Sequence, residues 1–141
     1  LATFLFGKPK KVFCSTSKYS NLDIDVEDFA EFQLLYSNKN ISVNLNFIEE
    51  VYNRNIKILF LGGYIECDLT NNFIKYYKNK KLKTKKFHVK FEDIYKKQLN
   101  YLYKKENFTD TNYSTFKSAI SVLKIIDKLR YSSKKKKIIR V

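Results

Sequence analysis

Glycine is almost absent from this chain: its 141 residues include three, Gly7, Gly62 and Gly63. No G-x-G-x-x-G phosphate turn can be written from them, which excludes a dinucleotide cradle of that kind. Arginine is as scarce, at Arg54, Arg130 and Arg140. Base-edge and bidentate phosphate recognition favour arginine, so its scarcity weakens a specific nucleic-acid reading. The sole histidine, His88, has no Asp, Ser or Cys motif beside it and reads as a surface residue rather than a base. Two cysteines, Cys14 and Cys67, form neither a C-x-x-C pair nor a metal-ligand spacing. They read as half-buried thiols suited to a reducing cytoplasm. No apolar run approaches the ~20 residues that a membrane span needs. The opening LATFLFGKPKK is apolar before it is basic, the wrong order for a secretory signal.

What is present is lysine and aromatic surface. The formal net charge is +14, and 11 Tyr and 12 Phe accompany it. Lysines spread along the whole chain read as a solvated surface. Three N-x-[ST] sequons, at Asn40, Asn107 and Asn112, carry no weight in a chain this rich in asparagine. The length fits one domain with a core of its own.

Leu1 to Phe6 is apolar and is followed by Gly7 and Pro9, the way a helix ends. The chain reads as opening on the last turn of a helix. Lys11 to Ser15 is a short strand. Asn21 to Asp28 is an acidic loop that fails as a calcium loop: Asp28 stands where the turn glycine belongs and Leu34 where the final glutamate belongs. Ala30, Phe32, Leu34 and Tyr36 alternate with polar residues, as do Ile41, Val43, Leu45 and Phe47. These two runs predict a hairpin across a four-residue loop. Residues 56–61 are apolar on both faces for half their length, which predicts a central strand. Gly62-Gly63 permits a turn into a strand over 65–69, and 73–77 continues the meander. A lysine-rich loop then leads to a strand over 87–91, through His88. Phe91, Tyr95, Leu99 and Leu102 recur at helical spacing. Asn107 to Asn112 is a polar break, and Ser114 caps a second helix with the stripe Ala119, Val122, Leu123, Ile126 and Leu129. Lys134 to Lys137 is a charge run before a last strand over 138–141. The fold expected is α+β: a mostly antiparallel sheet of about six strands with two helices packed on one face.

This order of elements resembles the C-terminal domain of the Gfo/Idh/MocA oxidoreductases, over nearly the whole chain. LFGKPKKV is similar to that family's helix end, Gly-x-Pro and strand. VEDFAEFQLLYSNKNISVNLNF resembles its D-x-A hairpin, with Asp28 and Ala30 in place. Arg54 with IKILFLGGYIECDL resembles its R-x-x-x-x-x-G-x-x-G-x-[IL]-x-x-D element, with Gly62 retained. The sequence departs from the family at Lys39-Asn40, where Asn-Gly is usual. It departs again at the adjacent Gly62 and Gly63, and at the four lysines of the final turn, where glycine is common.

The resemblance implies a single substrate-binding and dimerisation domain over 1–141, belonging behind a Rossmann domain that this chain does not contain. It implies an NAD(P)-dependent oxidoreductase of sugars or sugar derivatives as the whole. This chain would bind no cofactor and catalyse nothing alone, with NAD or NADP bound by a full-length homologue. The partners expected are a second copy, through the sheet face over 41–48, 56–61 and 64–69, and the upstream domain. No membrane is expected, and a cytoplasmic location is. Tyr52 and Arg54, at the mouth of the central strands, are the candidate substrate contacts. Arg54 could hold a carboxylate or phosphate bidentately, or it could pair with Glu49, Glu50 or Asp68. The rival reading is a small basic nucleic-acid-binding module, carried by Lys75 to Lys90 and the KKKKIIRV tail; the scarce arginine and the spread of lysine rank it second.

Overall fold

The computed structural model describes residues 1–104 and 115–141. The polar break at Asn107 to Asn112, the sequons there and the Ser114 cap lie outside the described residues. The chain divides into two compact units, Leu1–Glu50 with Thr111–Val141, and Val51–Asp110.

The first unit holds α1 (Ala2–Phe6), β1 (Lys11–Ser17), β2 (Phe29–Leu35), β3 (Asn40–Asn46), α3 (Phe116–Lys135) and β8 (Ile139–Arg140). Its sheet runs β3-β2-β1-β8, and every pair is antiparallel. Register places Val12, Leu34 and Ile41 in one row and Cys14, Phe32 and Val43 in the next. Alternation sends all six to one face, and Ile125 and Leu129 of α3 complete the core with Val12, Cys14 and Leu34. The opposite face carries Ser15, Glu31, Gln33, Ser42 and Asn44, as period-two patterning requires.

β8 reaches only Lys11 and Val12, which leaves the edge of β1 open beyond them. Two hydroxyls of α3 take the place of the missing strand. The Cys14 N–H donates to Ser132 Oγ at 3.1 Å and the Thr16 N–H to Ser133 Oγ at 3.2 Å. Ser132 is fully buried and donates in turn to the Lys137 carbonyl at 2.6 Å. This demand rotates the helix away from its expected stripe. Ile125, Leu129 and Ser132 are the buried positions, whereas Leu123 is 60% exposed. The helix starts on Thr115, whose Oγ1 accepts the Ser118 N–H at 3.1 Å, and ends on Lys136 at φ 50°.

The second unit is a meander of β4 (Asn55–Phe60), β5 (Gly63–Asp68), β6 (Phe73–Lys78) and β7 (Lys81–Lys86), followed by α2 (Phe91–Lys104). Here the structure corrects three expectations. Among the described residues there are two four-stranded sheets rather than the single sheet of about six strands. β4 lies at an edge rather than centrally. The strand expected over 87–91 is replaced by one over 81–86, with His88 in an irregular, exposed link. Asn79 and Lys80 both take positive φ, the requirement of a type I′ two-residue turn, so pairing restarts at once with Lys81. The six residues of β6 are then fully matched before Phe87 arrives.

The helices also differ from expectation. α3 packs on its sheet through Ile125 and Leu129, but Tyr95, Leu99 and Leu102 along the expected stripe of α2 are 53%, 54% and 43% exposed. Two helices on one face is therefore not the arrangement. Among the described side chains of 51–104 none is buried; every core residue belongs to the first unit.

Candidate functional site

Tyr52 and Arg54 lie in the segment that leads into β4, and both are exposed. The backbone at Arg54 is held on both sides by the turn between β5 and β6. Its N–H donates to Thr70 Oγ1 at 3.1 Å, and its carbonyl accepts the Leu69 N–H at 2.9 Å. The expected pairing of Arg54 with Asp68 is not made. Asp68 accepts the Thr70 N–H, the Asn71 N–H and Asn71 Nδ2 at 2.9, 2.7 and 2.9 Å. Those bonds, with the Asn71 side chain foremost, hold its carboxyl below the ordinary value. The ion pair found among the described residues is Lys75 with Glu66, at 3.4 Å. The Arg54 guanidinium thus stands on a fixed backbone with its fork free for an anion.

Other chemistry-bearing groups serve the fold. Asp28 is buried and clamps the acidic loop, accepting from Tyr19 N–H, Ser20 N–H and Ser20 Oγ at 2.8, 2.7 and 2.6 Å. No cluster of His, Cys, Asp and Glu among the described residues could hold a metal ion. Cys14 is buried and Cys67 half-buried, both free. Burial first, and then the negative charge of Glu27, push the Cys14 thiol up, which disfavours the reactive thiolate. Gly7 ends a helix, and Gly62 and Gly63 serve a hairpin. Among the described residues none of the three stands at a strand-to-helix turn.

Two hollows open on the surface. One, of about 400 Å³, is lined by Lys8, Pro9, Lys10, Lys11, Arg140 and Val141. The other, of about 260 Å³, is lined by Tyr76, Lys78, Asn79, Lys81 and Lys83 on β6 and β7. Neither lining contains an acidic side chain, thiol or imidazole; each is dominated by positive charge. The second falls within the Lys75 to Lys90 stretch singled out by its lysines and aromatics, but the strand that carries Lys81 and Lys83 is not expected from the sequence; lysines at i, i+2 and i+4 are the available signal.

The second sheet also carries an exposed apolar row. Leu59, Tyr64, Tyr77 and Leu82 form one row across all four strands of the second sheet. Leu59 is 73% and Leu82 56% exposed, and the Tyr64 and Tyr77 rings stack at 5.4 Å.

No protein-family model matches the sequence, and no curated protein sequence does. Solved structures do match in fold. The aldose-aldose oxidoreductase from Caulobacter crescentus, complexed with glycerol, superposes with a TM-score of 0.75 at 16% identity, over 99% of this chain and 44% of its own. An oxidoreductase from Agrobacterium radiobacter, in complex with NAD+, L-tartaric acid and magnesium, matches with a TM-score of 0.69 at 12% identity, over 99% and 45%. The WlbA dehydrogenase from Bordetella pertussis, in complex with NADH and UDP-GlcNAcA, matches with a TM-score of 0.62 at 18% identity, over 99% and 41%. The chain thus spans less than half the length of these oxidoreductases, and what it shares with them is the fold of that part.

Proposed function

We propose that this chain is the substrate-side and subunit-pairing domain of an NAD(P)-dependent oxidoreductase of the Gfo/Idh/MocA type, acting on a sugar or sugar derivative. The observation that carries the reading is the fold likeness itself, which takes in 99% of this chain and under half of each oxidoreductase. Hydride transfer needs a nicotinamide held against a substrate carbon and an acid–base group at its oxygen. In this reading those parts belong to a Rossmann domain outside the chain, and the chain alone turns over no sugar with added NAD. Turnover by the purified chain would overturn it.

Arg54 and Tyr52 are the proposed substrate contacts, with the free guanidinium fork taking a carboxylate. The test is a titration of the chain with a carboxylated sugar, followed by nuclear magnetic resonance. Arg54→Gln abolishes the shifts if the assignment holds; unchanged shifts sink it.

Subunit pairing is proposed through the row Leu59, Tyr64, Tyr77 and Leu82. An exposed apolar row across a sheet face is covered most simply by a two-fold copy of itself. Light scattering after size exclusion, at low and high salt, should give a dimer mass in both. Leu59→Asp should give a monomer. A wild-type monomer at high concentration removes this part of the reading.

A further inference from the structure

The lysines after β6 stand on an ordered edge strand, and this fixes where their charges point. β7 places Lys81, Lys83 and Lys85 on one face and Leu82, Thr84 and Lys86 on the other. Alternate residues of a strand stand about 7 Å apart, so the three stems form a row. Register puts Lys78 opposite Lys81, and Tyr76 opposite Lys83. The four residues meet with Asn79 in the hollow of about 260 Å³. The Tyr76 ring is held from behind by Phe60, stacked at 6.2 Å and 25°. Gly63 makes room for this pair: a Cβ there would come within 2.8 Å of the Phe60 ring.

Like charges directly opposite in a sheet are destabilising. The ion pair of this sheet, Lys75 with Glu66, lies on the other face, and Lys85 sits over the Phe87 ring at 5.1 Å. Among the described residues no carboxylate pairs with Lys78, Lys81 or Lys83. An edge lysine also wards off strand-to-strand aggregation. That role needs neither two lysines facing each other nor a stacked ring beside them.

We infer that this face binds single-stranded nucleic acid, with phosphates along Lys78, Lys81 and Lys83 and a base on Tyr76. Every base has a π-face, so such binding tolerates sequence, in keeping with a surface of lysine rather than arginine. A ring beside the charges favours nucleic acid over an anionic lipid surface, which offers no base to stack. The face lies opposite the row Leu59, Tyr64, Tyr77 and Leu82, so this inference and the oxidoreductase reading stand or fall separately.

The test is fluorescence anisotropy of the full chain with a labelled oligothymidylate of about 20 nucleotides, at salt from about 50 to about 200 mM. Three phosphate contacts predict a log–log salt slope near −2, about −0.7 for each contact on a single strand. The triple variant Lys78→Gln, Lys81→Gln, Lys83→Gln should lose about tenfold or more in affinity and most of the slope. The charge-matched control Lys117→Gln, Lys124→Gln, Lys128→Gln, on the exposed side of α3, should change affinity less than about twofold. Tyr76→Leu should lose about fivefold or more with the slope kept. Circular dichroism checks the fold of each variant. Equal losses from the two triples would show net charge alone and overturn the inference. So would absence of binding, or binding to phosphatidylserine vesicles without binding to the oligonucleotide.

Discussion

Three donors converge on the Asp28 carboxylate, and the work of this residue is to hold a loop. Asp28 belongs to the D-x-A element by which the hairpin is recognised, and to an acidic loop that invites a metal. In the structure it fixes that loop, while its carbonyl accepts the Phe47 N–H at 2.9 Å and ties the loop to the end of β3. The Ser20 hydroxyl, with the backbone N–H groups of Tyr19 and Ser20, holds its carboxyl below the ordinary value. A depressed carboxyl stabilises the fold above its unfolded value, near pH ~3.9, and the gain is lost as pH falls through the folded value. Thermal melts should therefore decline in the acid range below about pH 4, and Asp28→Asn should flatten that decline while lowering the melting temperature at neutral pH. Gly63 is the second instructive residue. The Gly62-Gly63 pair is expected to supply turn freedom, and Gly62 does so at φ 81°. At Gly63 a Cβ would stand 2.1 Å from the Tyr77 carbonyl oxygen. Gly63→Ala should destabilise by about 2 kcal/mol or more, measured by urea unfolding. Close approach of two backbones belongs to tertiary structure, and no single sequence reports it.

Among the elements, alternation read the first unit well because each strand there has one face on a core. The hairpin of β2 and β3, the helix end at Gly7 and the short last strand all appear where the pattern put them, within a residue or two. It failed at β7, where a turn of Asn79 and Lys80 outweighs six exposed side chains that signal nothing. It also failed on the face of α3, since hydrophobic spacing cannot register that an open strand edge needs two hydroxyls. Ser132→Ala should leave the buried Cys14 N–H without an acceptor and cost about 1–3 kcal/mol in urea unfolding. At the end of the same helix Lys136 holds φ 50°, a conformation glycine adopts without steric cost. Lys136→Gly should stabilise by about 1 kcal/mol by the same measurement.

In the whole molecule the two units contrast in burial. The first encloses every buried side chain described, and the second presents a sheet whose described side chains are all exposed or half-exposed. The subunit pairing proposed above would cover that sheet, and the prediction at this scale is the mass change already given: a dimer that Leu59→Asp converts to a monomer. Among the described residues no helix is long and apolar enough to cross a membrane. From the sequence came the α+β class, the order of most elements, the scarcity of groups for chemistry and the likeness that the solved oxidoreductases share in fold. These follow from periodicity, turn residues and composition, which act over a few neighbours along the chain. The tertiary structure decided that there are two sheets, that Arg54 stays free while Asp68 serves its turn, and that Lys78, Lys81 and Lys83 share a face with Tyr76. Each of these depends on which strands pair and in what register, and a one-residue shift of register moves every side chain to the other face.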